Sequence, residues 1–218
     1  MSNSIIQLLV LAGIAIFLIL KLRNVLGTRD GFEAPSHPQP PEIKARRGFE
    51  VIEGGPDRDI TDHVTEGSDA AKALAAMKLV EPSFSVSGFL QGARGAYEMI
   101  LTSFAKGEME KIRPFLSPDV AESFSAVLAD RKAQGLTVST EFVGLRELTL
   151  HGAEFDRASG EGEVTIRFVA ELISATRDIG GEIVEGDAKV ARKQKDVWTF
   201  ARKMGADDPN WQLVATGE

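Results

Sequence analysis

The chain has 218 residues, a formal net charge of −7 at pH 7 and no cysteine. The absence of cysteine excludes disulfides, thiolate catalysis and cysteine-based zinc sites. The negative net charge argues against binding to nucleic acid through overall electrostatic attraction. With 43% hydrophobic and 26% charged residues, the composition fits one globular domain with appended segments.

Residues 1–26 are predicted to be a transmembrane anchor. Gln7 is the only polar side chain between residues 5 and 20, and the run is apolar all round, unlike a core helix with one apolar stripe. A helix over residues 5–22 would be about 27 Å long, close to the ~30 Å hydrocarbon thickness of a bilayer. The side chains predicted to contact lipid are Ile5, Ile6, Leu8, Leu9, Val10, Leu11, Ile14, Ile16, Phe17, Leu18, Ile19, Leu20 and Leu22.

A cleaved signal peptide is the competing interpretation of this apolar run. It would need a basic stretch before the run and a small-x-small cleavage site after it, whereas the first basic side chain is Lys21 and the chain continues as KLRNVLG. We therefore favour an uncleaved anchor. Lys21, Arg23 and Arg29 all follow the helix, so the positive-inside rule places the C-terminal side in the cytoplasm.

Residues 27–67 are predicted to be a tether between the anchor and a folded domain. Four of the nine prolines of the chain lie within residues 35–41 of this segment, and prolines favour extended, semi-rigid backbone. It also holds an apolar group made of Phe49, Val51 and Ile52. This group is either linker that touches its own domain or a linear motif that adds a strand to the sheet of a partner.

Residues 68–218 are predicted to fold as an α+β domain. Apolar spacing and capping residues indicate helices over residues 68–81, 85–107, 107–116 and 117–135. Alternating apolar residues then indicate four antiparallel strands, over residues 140–152, 163–172, 197–204 and 210–216, with a bulge near residues 144–146. The order of helices and strands suggests the cone-shaped nuclear-transport-factor-two-like fold, in which a curved sheet surrounds an apolar pocket.

Three groups of residues define the packing that we expect in this domain. The last helix should bury Val120, Phe124, Val127 and Leu128. Gly88, Gly92 and Gly95 each weaken the long helix by up to ~1 kcal/mol, so we expect them to permit close approach to a sheet or a partner. The closing hairpin should seal the core against the long helix with Trp198, Phe200, Trp211 and Leu213.

Two stretches of the domain resemble the Tim44-like domain family, named for a subunit of the mitochondrial inner-membrane import translocase. They are GFLQGARGAYEMILTSFAKGEMEKIRPFLSPDVAESF in the helices and DVWTFARKM with DPNWQLVAT at the end. The resemblance covers roughly residues 68–218 and implies a non-enzymatic adaptor at an inner membrane, with protein partners and lipid contact. An anchor and tether in front are similar to the bacterial members, which implies the bacterial inner membrane. The chain lacks the long charged segment through which the mitochondrial protein recruits a chaperone, so that role is not expected.

A basic cluster stands out in the otherwise acidic domain. It comprises Lys189, Arg192, Lys193, Lys195, Arg202 and Lys203. One interpretation is a solvated outer face with an edge strand protected by charge. The other is a surface that meets anionic lipid headgroups or a partner, where each Lys or Arg near a membrane adds about 1 kcal/mol.

No pattern in the chain indicates an enzyme, a metal site or a cofactor. His151 is the domain's only histidine, and its spacing to Glu141, Glu154 and Asp156 does not place a pair on one inward face. The acidic run before the domain lacks the Gly and Glu positions of a calcium loop. A membrane-anchored adaptor in protein transport or membrane-protein biogenesis is the preferred function, and a lipid- or hydrophobic-ligand-binding module is the alternative.

Overall fold

The computed structural model describes residues 56–217, which form five α-helices, a short 3-10 helix and one five-stranded sheet. The α+β class is therefore confirmed. The helices are α1 (Arg58–Thr61), α2 (Asp69–Val80), α3 (Val86–Lys106), α4 (Met109–Ile112), the 3-10 helix (Arg113–Phe115) and α5 (Pro118–Ala133). The strands are β1 (Thr137–Asp156), β2 (Glu161–Arg177), β3 (Ile183–Gly186), β4 (Arg192–Lys203) and β5 (Gln212–Gly217).

The predicted anchor and the Phe49–Ile52 motif lie outside the described residues. Within residues 56–217, no helix is both long enough and apolar enough to cross a membrane.

The three longest helices each begin at a serine. Ser68, Ser85 and Ser117 each accept a hydrogen bond from a backbone N–H in the first turn of α2, α3 and α5. Such a bond satisfies one of the donors that a helix start leaves unpaired. α3 ends at Gly107, whose φ of 74° is the left-handed conformation that glycine adopts without a steric penalty. These boundaries confirm the predicted helices.

The sheet is antiparallel, with strand order β1-β2-β4-β5. The register of β1 against β2 shifts between Phe142 and Gly144 and again between Leu145 and Glu147, which confirms the predicted bulge. The prediction of four strands is wrong, because β3 pairs with the end of β2. All four residues of β3 are exposed, so the strand lacks the apolar alternation by which a strand is recognised.

The core lies between α3 and the inner face of the sheet. Tyr97 on α3 is fully buried, and its ring stacks on Phe168 of β2 at 4.3 Å and lies 4.7 Å from Trp198 of β4. Trp211 packs on Phe89 of α3 at 4.6 Å between ring centroids. The closing hairpin therefore seals the core as predicted, since Trp198, Phe200 and Leu213 are buried and Trp211 is half-buried.

One packing prediction for the helices is wrong, and a second is wrong in part. Val127 is 44% exposed, because α5 buries Val120 and Ala121 in its first turns. The sheet does not approach the glycines of α3, whereas the approach of a partner to them stays a prediction. Apart from the backbone of α3 itself, no atom of the described residues lies within 4 Å of a Cβ built on Gly92 or Gly95, and only Ser85, the cap of the same helix, lies that close to Gly88.

Part of the predicted tether belongs to the folded domain. Ile60 of α1 is buried, and the Asp59 carboxylate accepts hydrogen bonds from the backbone N–H groups of Val86 and Ser87 at 2.7 and 2.9 Å. Asp59 also forms a 2.7 Å ion pair with Lys78 of α2. The tether prediction is therefore corrected for residues 57–67. A four-residue helix is too short to show a periodic pattern, and its stabilising contacts are distant in sequence.

Candidate functional site

An apolar groove of about 410 Å³ opens on one side of α3. Its walls come from the first half of α3, the loop before it, the 3-10 helix and the β4–β5 connection. Gly88, Gly92 and Ala96 recur every four residues and therefore lie along one face of α3. The aromatic residues that line the groove are Phe84, Phe89, Phe115, Phe200 and Trp211.

The aromatic wall of the groove is built from distant parts of the chain. Trp211 lies 5.8 Å from Phe84 and 4.6 Å from Phe89, and Phe89 meets Phe200 edge-on at 6.1 Å. Phe115 and Trp211 are only half-buried, so both still offer apolar surface to a bound molecule. A concave, mostly apolar surface with a few polar groups at its edge is the usual form of a binding site.

An ion pair closes one end of the groove. Arg202 Nη2 donates to Glu81 Oε1 at 2.6 Å, and the backbone N–H of Gly205 donates to Glu81 Oε2 at 3.0 Å. The bond from Arg202 lowers the pKa of Glu81, an effect that burial opposes and the Gly205 bond reinforces. The guanidinium also lies 5.3 Å from the centre of the Trp211 ring, so this pair fastens the end of α2 to the closing hairpin.

The predicted basic cluster is not one surface. Arg202 must be removed from it, because its side chain is 7% exposed and paired with Glu81. Lys203 lies about 33 Å along the strand from Lys193. Lys189, Arg192, Lys193 and Lys195 remain together and exposed at the first end of β4. Lys193 is aligned with Glu171 of β2, a carboxylate that Arg146 already pairs at 2.6 Å.

A second cavity, of about 840 Å³, lies at the same end of β4. Arg131 at the end of α5, Glu185 of β3 and the first residues of β4 line it, together with the end of β2. Asp196 on its wall accepts hydrogen bonds from the Tyr97 hydroxyl at 2.5 Å and from the Gln194 amide at 2.9 Å. Burial, and then the Asp196 carboxylate, raise the pKa of Tyr97, so the phenol stays protonated and donates.

The acidic residues considered for catalysis lie either near the β1–β2 turn or exposed on β1. Glu154 and Asp156 lie together near the β1–β2 turn, where Asp156 accepts bonds from the Ala158 N–H and the Ser159 hydroxyl. His151 and Glu141 are exposed on β1. Across residues 56–217, no group of three or more His, Asp or Glu side chains could hold a metal ion.

Sequence reasoning missed two features of these sites. It did not single out Arg131, because a basic residue in the last turn of a helix is commonly explained by the helix dipole. It also did not find the groove, whose aromatic walls come from segments more than 100 residues apart. The glycines of α3 were the one local signal, and the sequence predicts from them the close approach of a sheet or a partner.

Comparisons with known proteins agree on one family. Residues 70–218 match the family described as the Tim44-like domain. The chain is similar to the mitochondrial import inner membrane translocase subunit TIM44-1 of Arabidopsis thaliana, with 21% identity over 163 residues, 72% of this chain and 34% of that protein. It is also similar to the TIM44 subunit of the same translocase from Homo sapiens, with 23% identity over 168 residues, 72% of this chain and 36% of that protein.

This chain thus spans about a third of the length of these relatives. Among solved structures, the intermembrane space region of the chloroplast protein ARC6 aligns with a TM-score of 0.40 and 10% identity, over 59% of this chain and 94% of that one.

Proposed function

The chain belongs to the Tim44-like domain family, and on that premise we propose that it is a non-enzymatic adaptor that binds proteins in protein transport at a membrane. The curated relatives are named as subunits of an inner-membrane import translocase, which supports a role in protein transport. The observation that carries the proposal is the apolar groove beside α3, since it offers aromatic surface that the domain itself leaves uncovered.

The groove is suited to an apolar segment of a partner protein. The small residues Gly88, Gly92 and Ala96 leave room for the backbone of a bound segment to approach α3 closely. Phe115 and Trp211 then provide contacts for its apolar side chains. In the proposed cone-shaped, nuclear-transport-factor-two-like fold, the same surface could instead hold the apolar part of a lipid or another hydrophobic ligand, which is the second candidate function.

A leucine at position 92 is expected to block the groove without harming the fold. Because no atom of the described residues outside the α3 backbone lies within 4 Å of a Cβ built on Gly92, the side chain of a Gly92→Leu variant enters the groove without a clash. Replacing a helical glycine also favours the helix by up to about 1 kcal/mol. We expect the amount of partner protein that co-purifies with the detergent-extracted full chain to fall by about tenfold or more, which corresponds to ~1.4 kcal/mol of binding free energy.

Gly95→Leu is the matched control, because Gly95 has the same free space but does not line the groove. Native mass spectrometry of the same preparations separates the two functions. Loss of co-purified proteins in Gly92→Leu alone supports the adaptor, and loss of a bound lipid mass with unchanged proteins supports the ligand-binding module. Identical spectra for both variants and the wild type would exclude the groove as the functional site.

We further propose that residues 1–26 anchor the chain once in a bacterial inner membrane and that the domain lies in the cytoplasm. The long apolar run and the basic residues Lys21, Arg23 and Arg29 support this topology. The full chain is expected to stay in the membrane fraction after alkaline carbonate extraction. Protease should cleave its domain only after the cells are opened.

An Ile14→Arg substitution tests the anchor directly. A charge at the centre of the span opposes insertion by about 2.5–3.5 kcal/mol, so this variant is expected to appear in the carbonate supernatant. Release of the unmodified chain by carbonate would rule out the anchor, and digestion of the domain by protease added outside intact inner membranes would rule out the cytoplasmic location.

A further inference from the structure

We propose that the cavity at the first end of β4 binds a small amphipathic anion, that is, a carboxylate or phosphate group carried on an apolar body. This cavity is separate from the groove beside α3, so the inference does not depend on the proposed adaptor function. Its volume of about 840 Å³ lies within the range of about 300–1,000 Å³ that is typical of ligand pockets.

The charge of the cavity favours an anion. Four basic residues, Arg131, Arg192, Lys193 and Lys195, line it, against two acidic residues, Glu185 and Asp196. The surplus of positive charge occurs in a chain whose net charge is −7. Asp196 already accepts hydrogen bonds from Tyr97 and Gln194, so its negative charge is partly engaged by donors of the protein.

Arg131 lacks a hydrogen-bond acceptor for one of its guanidinium nitrogens among the described residues. Its Nη1 atom is buried and has no hydrogen-bond partner among the described residues. Its guanidinium lies over the Phe104 ring, 4.6 Å from the ring centre, which orients the group. Burial lowers the pKa of Arg131, and the charge of Glu185 opposes this effect. Because a buried donor without an acceptor is unfavourable, an oxyanion at this position would satisfy both the hydrogen bond and the charge.

The other walls of the cavity suit the remainder of such a ligand. Leu136, Val138 and Leu172 provide an apolar surface, and Ser174, Thr176 and Gln194 add neutral polar groups. A purely inorganic anion would leave the apolar wall unused, and a purely apolar molecule would leave the buried Nη1 atom of Arg131 unpaired. The ligand class that matches both walls is therefore an organic carboxylate or phosphate.

The test uses the full chain in nanodiscs of zwitterionic phosphatidylcholine, with hexanoate, phenyl phosphate and the uncharged 1-hexanol as probes. We expect calorimetry or saturation-transfer NMR to show that the two anions bind at least about tenfold more tightly than 1-hexanol, which is the difference that one charge-assisted hydrogen bond would make. Arg131→Gln should weaken the binding of the two anions by a similar factor. Lys132→Gln is the matched control, because Lys132 is the exposed neighbour of Arg131 and does not line the cavity.

Circular dichroism establishes whether Arg131→Gln is folded, and Arg192→Gln, at an exposed residue of the same cavity, provides the test if it is not. Nanodiscs that contain phosphatidylglycerol identify the source of the anion. Competition between this lipid and phenyl phosphate would mean that the site accepts lipid phosphate, and the absence of competition would mean that it takes a free anion. Equal binding of 1-hexanol and hexanoate, no binding of either anion, or binding that is unchanged in both cavity variants would overturn the proposal.

Discussion

Replacing Trp198 by alanine is expected to lower the free energy of unfolding of the domain by about 3–5 kcal/mol. Trp198 is 3% exposed and its ring lies 4.7 Å from Tyr97, 5.8 Å from Phe168 and 6.3 Å from Phe200. The substitution would leave a large cavity between α3 and the sheet, which close-packed neighbours can fill only in part. Urea unfolding of a fragment that begins at residue 56, followed by circular dichroism, measures the change.

Val127→Ala is the control for this prediction. Val127 is 44% exposed, so its truncation should change the free energy of unfolding by no more than about 0.5 kcal/mol. A loss of several kcal/mol for Val127→Ala would mean that α5 buries the face that its sequence predicted, and a loss for Trp198→Ala as small as that expected for the control would mean that the hairpin does not close the core.

Replacing Asp59 by alanine is expected to lower the free energy of unfolding by about 2–3 kcal/mol. The carboxylate accepts bonds from two backbone N–H groups at the start of the 21-residue helix α3 and pairs with Lys78, whose side chain is 19% exposed. Asp62→Ala, at an exposed carboxylate at the end of α1, is the control and should have little effect. Equal values for the two variants would show that α1 is an appendage of the tether.

The effect of Asp59 should depend on pH in a defined direction. Burial alone would raise the pKa of Asp59, but the bonds from Lys78, Ser87 and Val86 outweigh it and hold the pKa well below its usual range. A group with a lowered folded-state pKa stabilises the fold above its unfolded pKa of about 4 and loses that contribution as the pH falls through the folded value. The difference in the free energy of unfolding between wild type and Asp59→Asn should therefore have its full value at pH 7 and decrease below about pH 4. A difference that increases in acid would contradict this assignment.

Local chemistry explains which parts of the fold could be predicted from the sequence. Ser68, Ser85 and Ser117 cap helices by bonds within one turn, and β2 alternates apolar and polar residues from Glu163 to Phe168, so both signals lie within a short window. β3 and α1 are four residues each and depend on contacts with β2 and α3, which no local pattern contains. The glycines of α3 predicted the close approach of a sheet or of a partner, and the tertiary structure excludes the sheet.

The candidate sites were less predictable than the fold for the same reason. The basic residues near β4 were recognised as a cluster, but a count of charges does not reveal that Arg202 is buried against Glu81. Arg131 becomes notable only because its guanidinium faces Phe104 and its Nη1 atom has no acceptor among residues 56–217. In the groove, Phe84 and Trp211 are 127 positions apart (211 − 84) and share a wall only after the sheet has formed.

The late position of the closing hairpin has a consequence for how the domain matures on the ribosome. The carbonyl of Leu213 accepts a bond from the N–H of Ser117 at 2.9 Å, and Trp211 covers Phe89. Helices made early in translation thus remain without their partners until nearly the last residues of the domain have been synthesised. During that interval the nascent chain presents an uncovered aromatic face, and such transiently exposed apolar surface makes a folding chain prone to aggregation.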